Sequence, residues 1–172
     1  VFSDFTTEEL YKEGSKRGSI DPCFPSKVAL SHLHNLIYRK HAKTPLDWVF
    51  FPMIDELPTD LFGTVASKAC PTASGTSESA KAAFIKEEDL FAKHGIRYVN
   101  PILSLRDPAL LANQLYREFG AMLELREDEN AEAVRHGLAA LDAFNAEADP
   151  VKRAHISTPY SILSIRTIPM PG

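Results

Sequence analysis

Apolar and polar residues recur along the chain with two periods, and these periods predict an alternation of helices and strands. Apolar positions spaced three and four residues apart predict helices at about 7–16, 25–41, 77–94, from 107 onward and at 129–148. Thr6 and Glu9 have the spacing of a capping box, which makes Thr6 the predicted N-cap of the first helix. Near-continuous apolar runs predict strands at 46–52 and 96–101. The segment 57–74 has neither period, and its prolines and small polar residues indicate a functional loop.

The order of these elements predicts an α/β fold. Strands that alternate with helices form parallel sheets covered by helices, so we expect a three-layer α/β/α domain with a mostly parallel, Rossmann-like sheet. The run from Trp48 to Phe51 lacks polar alternation and is expected to be a central strand. A single domain is expected to cover residues 1–150. Residues 151–172, with three prolines, are expected to form a tail or an edge strand.

Composition places the chain among globular proteins. Of its 172 residues, 44% are hydrophobic and 24% are charged, which is typical of one packed domain. No apolar run approaches the ~20 residues that span a bilayer, and the first residues do not have the pattern of a secretion signal. A net charge of −4 with scattered lysines and arginines argues against nucleic acid as a partner. The first residue is not methionine, so we expect a piece of a longer cytoplasmic protein.

The two cysteines, Cys23 and Cys70, have the most distinctive chemistry in the sequence. Their number and separation argue against a disulfide framework, and neither has the close partners of a zinc site. Cys23 precedes a predicted helix, where the positive end of the helix dipole favours a thiolate. Cys70 lies in the irregular segment after a strand, where ligands of α/β sheets gather. A structural role as a small buried residue is the alternative for both.

The other reactive side chains do not form a recognisable site. His32 and His34 lie on different faces of one predicted helix, and each is expected to be a single exposed histidine. No glycine-rich phosphate-binding loop occurs, so we expect no ATP hydrolysis by this chain. A thiol enzyme with Cys23 as its nucleophile would need a histidine base, which the sequence does not identify.

Three segments together carry a family resemblance, namely GSIDPCFPSKVA at 18–29, FFPMI at 50–54 and ACPT at 69–72. They resemble the region that follows the ATPase modules in large CoA-substrate-specific enzyme activases. Those proteins are related to the activators and iron–sulfur subunits of 2-hydroxyacyl-CoA dehydratases and benzoyl-CoA reductases. The stretches FSDFTTEEL at 2–10 and GIRY at 95–98 fit the same pattern. The similarity covers roughly residues 1–150, and its Cys-Phe-Pro-x-Lys element is fairly specific.

This resemblance implies oxygen-sensitive iron–sulfur chemistry. In that family, ATP hydrolysis in a separate module drives an electron toward clusters held by cysteines. It implies that Cys23 and Cys70 are ligands of a [4Fe–4S] cluster, and that Phe24, Pro25 and Pro71 shape and dry the pocket. Further ligands would come from another segment, another subunit or a non-cysteine residue. The implied partners are the ATPase modules of the same protein or a dehydratase or reductase. The alternative is a non-catalytic docking domain, and we expect no enzymatic activity from the domain alone.

Overall fold

A computed structural model of the chain describes residues 1–17, 23–58 and 67–147. Its helices are α1 (Glu8–Gly14), α2 (Phe24–Asn35), α3 (Pro71–Ile85), α4 (Leu90–Lys93), α5 (Pro108–Phe119) and α6 (Glu127–Glu147). A 3₁₀ turn (Ser15–Arg17) follows α1, and a π-helical segment (Leu36–Lys40) continues α2. The strands are β1 (Trp48–Phe50), β2 (Met53–Glu56), β3 (Arg97–Val99) and β4 (Ile102–Ser104). None of the described helices has the length and apolarity that crossing a membrane requires. The tail or edge strand expected at 151–172 lies outside the described residues.

The described residues divide into two compact units. Unit 1 comprises Val1–Met53 and Cys70–Asn100, and unit 2 comprises residues 54–58, 67–69 and 101–147. The chain therefore leaves unit 1 after Met53, contributes to unit 2, returns to unit 1 between Cys70 and Asn100, and then continues in unit 2. Both cysteines belong to unit 1.

Unit 1 is built around a short parallel strand pair. β1 pairs with β3 with Val49 opposite Tyr98, and the Phe51 N–H donates to the Val99 carbonyl at 2.9 Å. Helix α2 packs against both α1 and α3. The fully buried large side chains of this unit include Leu30, Leu33, Leu36, Ile37, Trp48, Val49, Phe51 and Phe84. Removal of this apolar surface from water is the main force that holds α2 and α3 against the strands.

Unit 2 consists of β2, β4 and two longer helices. β2 pairs with β4, and α5 packs against both β4 and α6. Asp107 begins α5, because its carboxylate accepts hydrogen bonds from N–H groups of the first turn. Asn130 of α6 donates to the Ala112 carbonyl at 2.8 Å and joins the two helices. Phe144, expected on the apolar face of the last helix, is 64% exposed. The buried apolar residues of these helices are Leu111, Phe119 and Val134.

These observations confirm the α/β class and the parallel pairing of the apolar run. Val49 is fully buried, and its strand pairs in parallel with β3. The described strands pair two by two, so β1 has β3 as its partner and is not the central strand that we expected. The described strands do not confirm a three-layer, Rossmann-like sheet either. β1 ends before Pro52, which lacks the N–H that a ladder needs, and the strand resumes as β2.

The predicted loop at 57–74 was too long at its C-terminal end. Helix α3 begins at Pro71, well before the start of the helix expected at 77–94. Proline suits this position because the first turn of a helix does not need its N–H. The small polar residues that follow suggest a turn by their composition. In the structure Thr76 and Ser77 are buried, and their tertiary contacts override that preference.

Two helix boundaries depend on side-chain caps that differ from the expected ones. Asp89 accepts a hydrogen bond from the Ala92 N–H at 3.0 Å, and this cap begins α4 inside the expected helix 77–94. Thr7, rather than Thr6, is the N-cap of α1, because its hydroxyl accepts the Leu10 N–H at 3.2 Å. Both differences arise because a threonine or an aspartate close to the expected boundary accepts the hydrogen bond of an N-cap.

Candidate functional site

Both cysteines occupy the same structural position, the N-cap of a helix in unit 1. Cys23 precedes α2 and Cys70 precedes α3. Each is followed within the first turn by a proline, Pro25 or Pro71, which suits a helix start. An N-cap side chain lies near the N–H groups that have no partner inside the helix. The two cysteines are thiols and are not joined in a disulfide.

A chain of hydrogen bonds joins these two helix starts. Cys23 Sγ lies 3.2 Å from Ser26 Oγ, and Ser26 Oγ lies 2.8 Å from Thr76 Oγ1. Thr76 donates to the Thr72 carbonyl at 2.6 Å. A hydroxyl has one proton to donate, and Thr76 uses its proton on the carbonyl. Ser26 therefore donates to Thr76, and the Cys23 thiol donates to Ser26. Because Ser26 and Thr76 are 0% and 1% exposed, the chain is a buried link between α2 and α3.

The surroundings of Cys70 favour its thiolate form. The backbone N–H of Ala73, followed by the N–H and hydroxyl of Thr72, lowers the pKa of the Cys70 thiol below its ordinary value. These N–H groups belong to the first turn of α3, whose backbone donors have no partner inside the helix. The charge of Cys23 raises the pKa of Cys70, because two negative sulfurs repel each other. The N-caps that these two thiols occupy belong to helices that pack against each other.

The residues beside the thiols differ in exposure from what we expected. Cys23 is half-buried and Cys70 is exposed. Phe24, which follows Cys23, is 62% exposed, and Pro71 is exposed as well, whereas Pro25 is half-buried. The expected dry pocket is thus not formed by these three residues within the described part of the chain. Phe24 instead presents an apolar ring to solvent next to a thiol.

As a metal site, the pair of thiols supplies part of a ligand set. Among the described residues, no three His, Cys, Asp or Glu side chains converge as a metal-binding group. A [4Fe–4S] cluster is usually held by four cysteines. Cysteine binds iron as a thiolate, and the position of Cys23 and Cys70 at helix N-termini favours that form.

The histidines of α2 have structural roles and are not the exposed residues that we expected. His32 makes hydrogen bonds through Nδ1 with Ser3 Oγ at 2.7 Å and through Nε2 with Thr6 Oγ1 at 2.9 Å. His34 packs on Tyr38, with 4.5 Å between ring centroids. Burial lowers the pKa of both histidines. The partners of both His32 nitrogens are therefore hydroxyls of the N-terminal segment and not the Cys23 thiol.

Sequence reasoning missed Ser26 and Thr76, the two hydroxyls of the buried link. Ser26 follows Cys23 by three residues, which is the spacing of reciprocal contacts at a helix start, so the sequence did contain a signal for it. Thr76 had no such signal. Its partner Ser26 lies 50 residues away in the chain, and only the packing of α2 on α3 brings them together.

Comparison with known proteins identifies the family of the chain. The family model described as the CoA enzyme activase uncharacterised domain (DUF2229) matches residues 1–160. No curated protein and no solved structure matches the chain significantly. The matched residues include both cysteines and nearly the whole chain. The chain therefore belongs to the CoA-substrate-specific enzyme activase family, as the sequence resemblance implied.

Proposed function

We propose that this activase-family domain helps to hold an iron–sulfur cluster of the [4Fe–4S] type, with Cys23 and Cys70 as two of its ligands. The observation that supports this best is the placement of the two thiols at two helix starts joined by one buried hydrogen-bond chain. In this role the domain takes part in ATP-driven electron transfer to a CoA-thioester dehydratase or reductase. Family membership supports that part of the proposal.

The residues of this chain control the ionisation and orientation of the two sulfurs. A bound cluster supplies one-electron chemistry, and cysteine binds its iron as a thiolate. The positive ends of α2 and α3 stabilise a negative sulfur, and the lowered pKa of Cys70 reduces the free energy of losing its proton. When Cys23 ionises, Ser26 turns its proton toward the sulfur. Hydrogen bonds of this kind tune the potential of a cluster.

The other ligands of the cluster come, in this proposal, from outside the described residues. Cys70 is exposed, and the exposed Phe24 lies beside Cys23. A partner surface that covered this apolar ring would exclude water from the sulfurs, and solvent access is one of the factors that set cluster potentials. The ATPase modules of a larger protein, or a cytoplasmic dehydratase or reductase, are the partners that fit this requirement.

Iron and sulfide analysis of the full-length gene product, expressed and purified without oxygen, tests the proposal. The unaltered protein should contain iron and acid-labile sulfide. Cys23→Ser and Cys70→Ser should each lower both to background without changing the circular dichroism spectrum. Asp107→Ser changes an N-cap in unit 2 without removing a thiol, and this matched control should retain its iron. Full iron content in both cysteine variants would refute the ligand assignment.

A docking domain is the second candidate function, and the exposed Phe24 is the observation that favours it. In that case Phe24→Ser should weaken binding to separately expressed ATPase modules. Phe5→Ser is the matched control, because Phe5 is 94% exposed elsewhere on the chain. The docking function predicts that iron content does not depend on Cys23 or Cys70, so the iron analysis separates the two candidates.

A further inference from the structure

Unit 1 contains a cavity whose lining does not include either cysteine. A cavity of about 400 Å³ opens between the 3₁₀ turn after α1, the π-helical segment, the end of α3 and helix α4. This volume lies within the range of roughly 300–1,000 Å³ that is typical of small-molecule sites. The polar and aromatic residues of its lining are Lys16, Arg17, Tyr38, Phe84, Lys86 and Lys93, together with Glu87 and Glu88.

Arg17 is held in the cavity wall by two aromatic rings. Its guanidinium carbon lies 4.6 Å from the ring centroid of Phe84 and 5.4 Å from that of Tyr38. One of its terminal nitrogens donates to the Tyr38 hydroxyl at 2.5 Å. Its Nε is buried and has no hydrogen-bond partner within the part of the chain that the structure describes. The rings thus orient a planar fork of donors, several of which remain available to a ligand.

The charges of the lining favour an anion. Glu88 forms an ion pair with Lys93 at 2.7 Å, so these two charges largely cancel. Across residues 1–17, 23–58 and 67–147, no carboxylate pairs with Lys16 or Lys86. Glu87 is the one lining carboxylate that opposes them among the described residues. Together with Arg17, three cationic groups therefore exceed the remaining negative charge.

The positive charge of this lining also affects the pKa of the neighbouring His34. Its ring packs on Tyr38, which belongs to the cavity wall. Burial is the main cause of the lowered pKa of His34, and Arg17, Arg39 and Lys16 lower it further, against the opposing effect of Glu13. The positive potential thus extends from the lining into the wall behind it.

We infer that this cavity binds a small phosphorylated ligand through Arg17, Lys16 and Lys86, with the ring of Tyr38 against the ligand's remaining atoms. A phosphate group carries up to two negative charges and several acceptor oxygens, which suits a guanidinium fork flanked by two ammonium groups. A single carboxylate would leave positive charge uncompensated. Tyr38 is 37% exposed, so its ring is accessible to a ligand in the cavity.

Isothermal titration of the 172-residue chain with inorganic pyrophosphate at low salt tests this inference. We expect one site per chain, with an affinity that falls as salt increases. Lys86→Gln should weaken binding about tenfold or more, as expected when a charge-assisted contact is lost. Arg17→Lys keeps the charge but loses the fork, and it should also weaken binding. Lys12→Gln is the matched control, because Lys12 pairs with Glu8 on the exposed face of α1, and it should leave the affinity unchanged.

Three outcomes would overturn the inference. The first is the absence of pyrophosphate binding by the unaltered chain. The second is an equal loss of affinity in Lys12→Gln and Lys86→Gln, which would show that only overall charge matters. The third is binding of acetate at the same site with the same affinity, which would show that the cavity does not select phosphate. The substituted lysines are on the surface, and circular dichroism of each variant verifies that the fold is retained.

Discussion

Replacing Thr76 by valine should destabilise unit 1 by about 1–3 kcal/mol, because it removes a hydroxyl from the buried link between α2 and α3. Valine has a shape similar to that of threonine, so the substitution leaves little cavity. Ser26 is 0% exposed and would lose the acceptor that lies 2.8 Å from its oxygen. The expected cost is therefore that of a buried hydroxyl whose remaining hydrogen-bond partner is the Cys23 sulfur, a weak acceptor.

Urea denaturation followed by the fluorescence of Trp48 measures this free energy. Trp48 is the single tryptophan of the chain, and it is 2% exposed within unit 1. Its emission therefore reports the unfolding of that unit, and the midpoint and slope give the free energy of unfolding. Thr44→Val makes the same chemical change at an exposed turn position. It should alter the stability by no more than about 0.5 kcal/mol.

A double substitution shows whether Ser26 and Thr76 act together. Once Ser26→Ala has removed the donor, Thr76→Val should cost less than it does in the unaltered protein, by about 0.5 kcal/mol or more. Additive costs would refute the coupling between the two hydroxyls. A Thr76→Val variant as stable as Thr44→Val would refute the buried link altogether.

Three further predictions concern the helix packing, the thiols and the pH dependence of unit 1. Gly14→Ala should destabilise the chain by about 1–3 kcal/mol, because a Cβ there would lie 2.2 Å from the backbone of α2. Gly75→Ala should instead stabilise the chain by about 0.5–1 kcal/mol, since an added Cβ would meet no atom within 4 Å. A higher urea midpoint for Gly14→Ala than for Gly75→Ala would contradict this packing. Because its pKa is lowered, Cys70 should react with iodoacetamide before Cys23 at neutral pH, and peptide mass spectrometry that finds Cys23 labelled first would contradict the assignment. The pKa of His32 in the folded chain lies below its ordinary value of 6.5. Between these two pKa values the unfolded chain binds more protons than the folded chain does, so the free energy of unfolding should decrease as pH falls below 6.5. His32→Gln should reduce this loss in urea titrations at about pH 7.5 and 5.5, and an unchanged pH dependence would argue against a contribution from His32.

Local pattern was sufficient to predict those elements whose residues interact with near neighbours. The apolar run containing Val49 is a buried parallel strand, and Asp107 begins α5 through hydrogen bonds within its own first turn. The start of α3 was missed because Thr76 and Ser77 are polar by type and buried by tertiary contact. Each hydroxyl has one partner that is distant in sequence, Ser26 for Thr76 and the Phe51 carbonyl for Ser77, and a local pattern does not reveal these contacts.

The contrast between local and distant contacts also explains how much of the cysteine site and of the cationic cavity could be predicted from the sequence. The position of Cys23 at a helix start was predictable, because Pro25 follows it closely. Its link to α3 through Ser26 and Thr76 depends on the packing of α2 against α3 and has no local signature. The cavity lined by Arg17 and Lys86 draws its cations from segments separated by most of unit 1. These cations alternate with acidic residues along the chain, so no run of like charge marks the site in the sequence.

The division of the chain between its two units has a consequence for folding during synthesis on the ribosome. β1 belongs to the first segment of unit 1, but its parallel partner β3 lies near the end of the second segment. At elongation rates of about 5–20 residues per second, the interval between translation of Phe50 and of Arg97 lasts roughly 2–9 s. During that time the nascent chain exposes the apolar strand with Trp48 and Val49 and its unpaired edge, together with residues 54–58 of the other unit. Such edges promote aggregation, so we expect chaperones to protect the emerging polypeptide during this period.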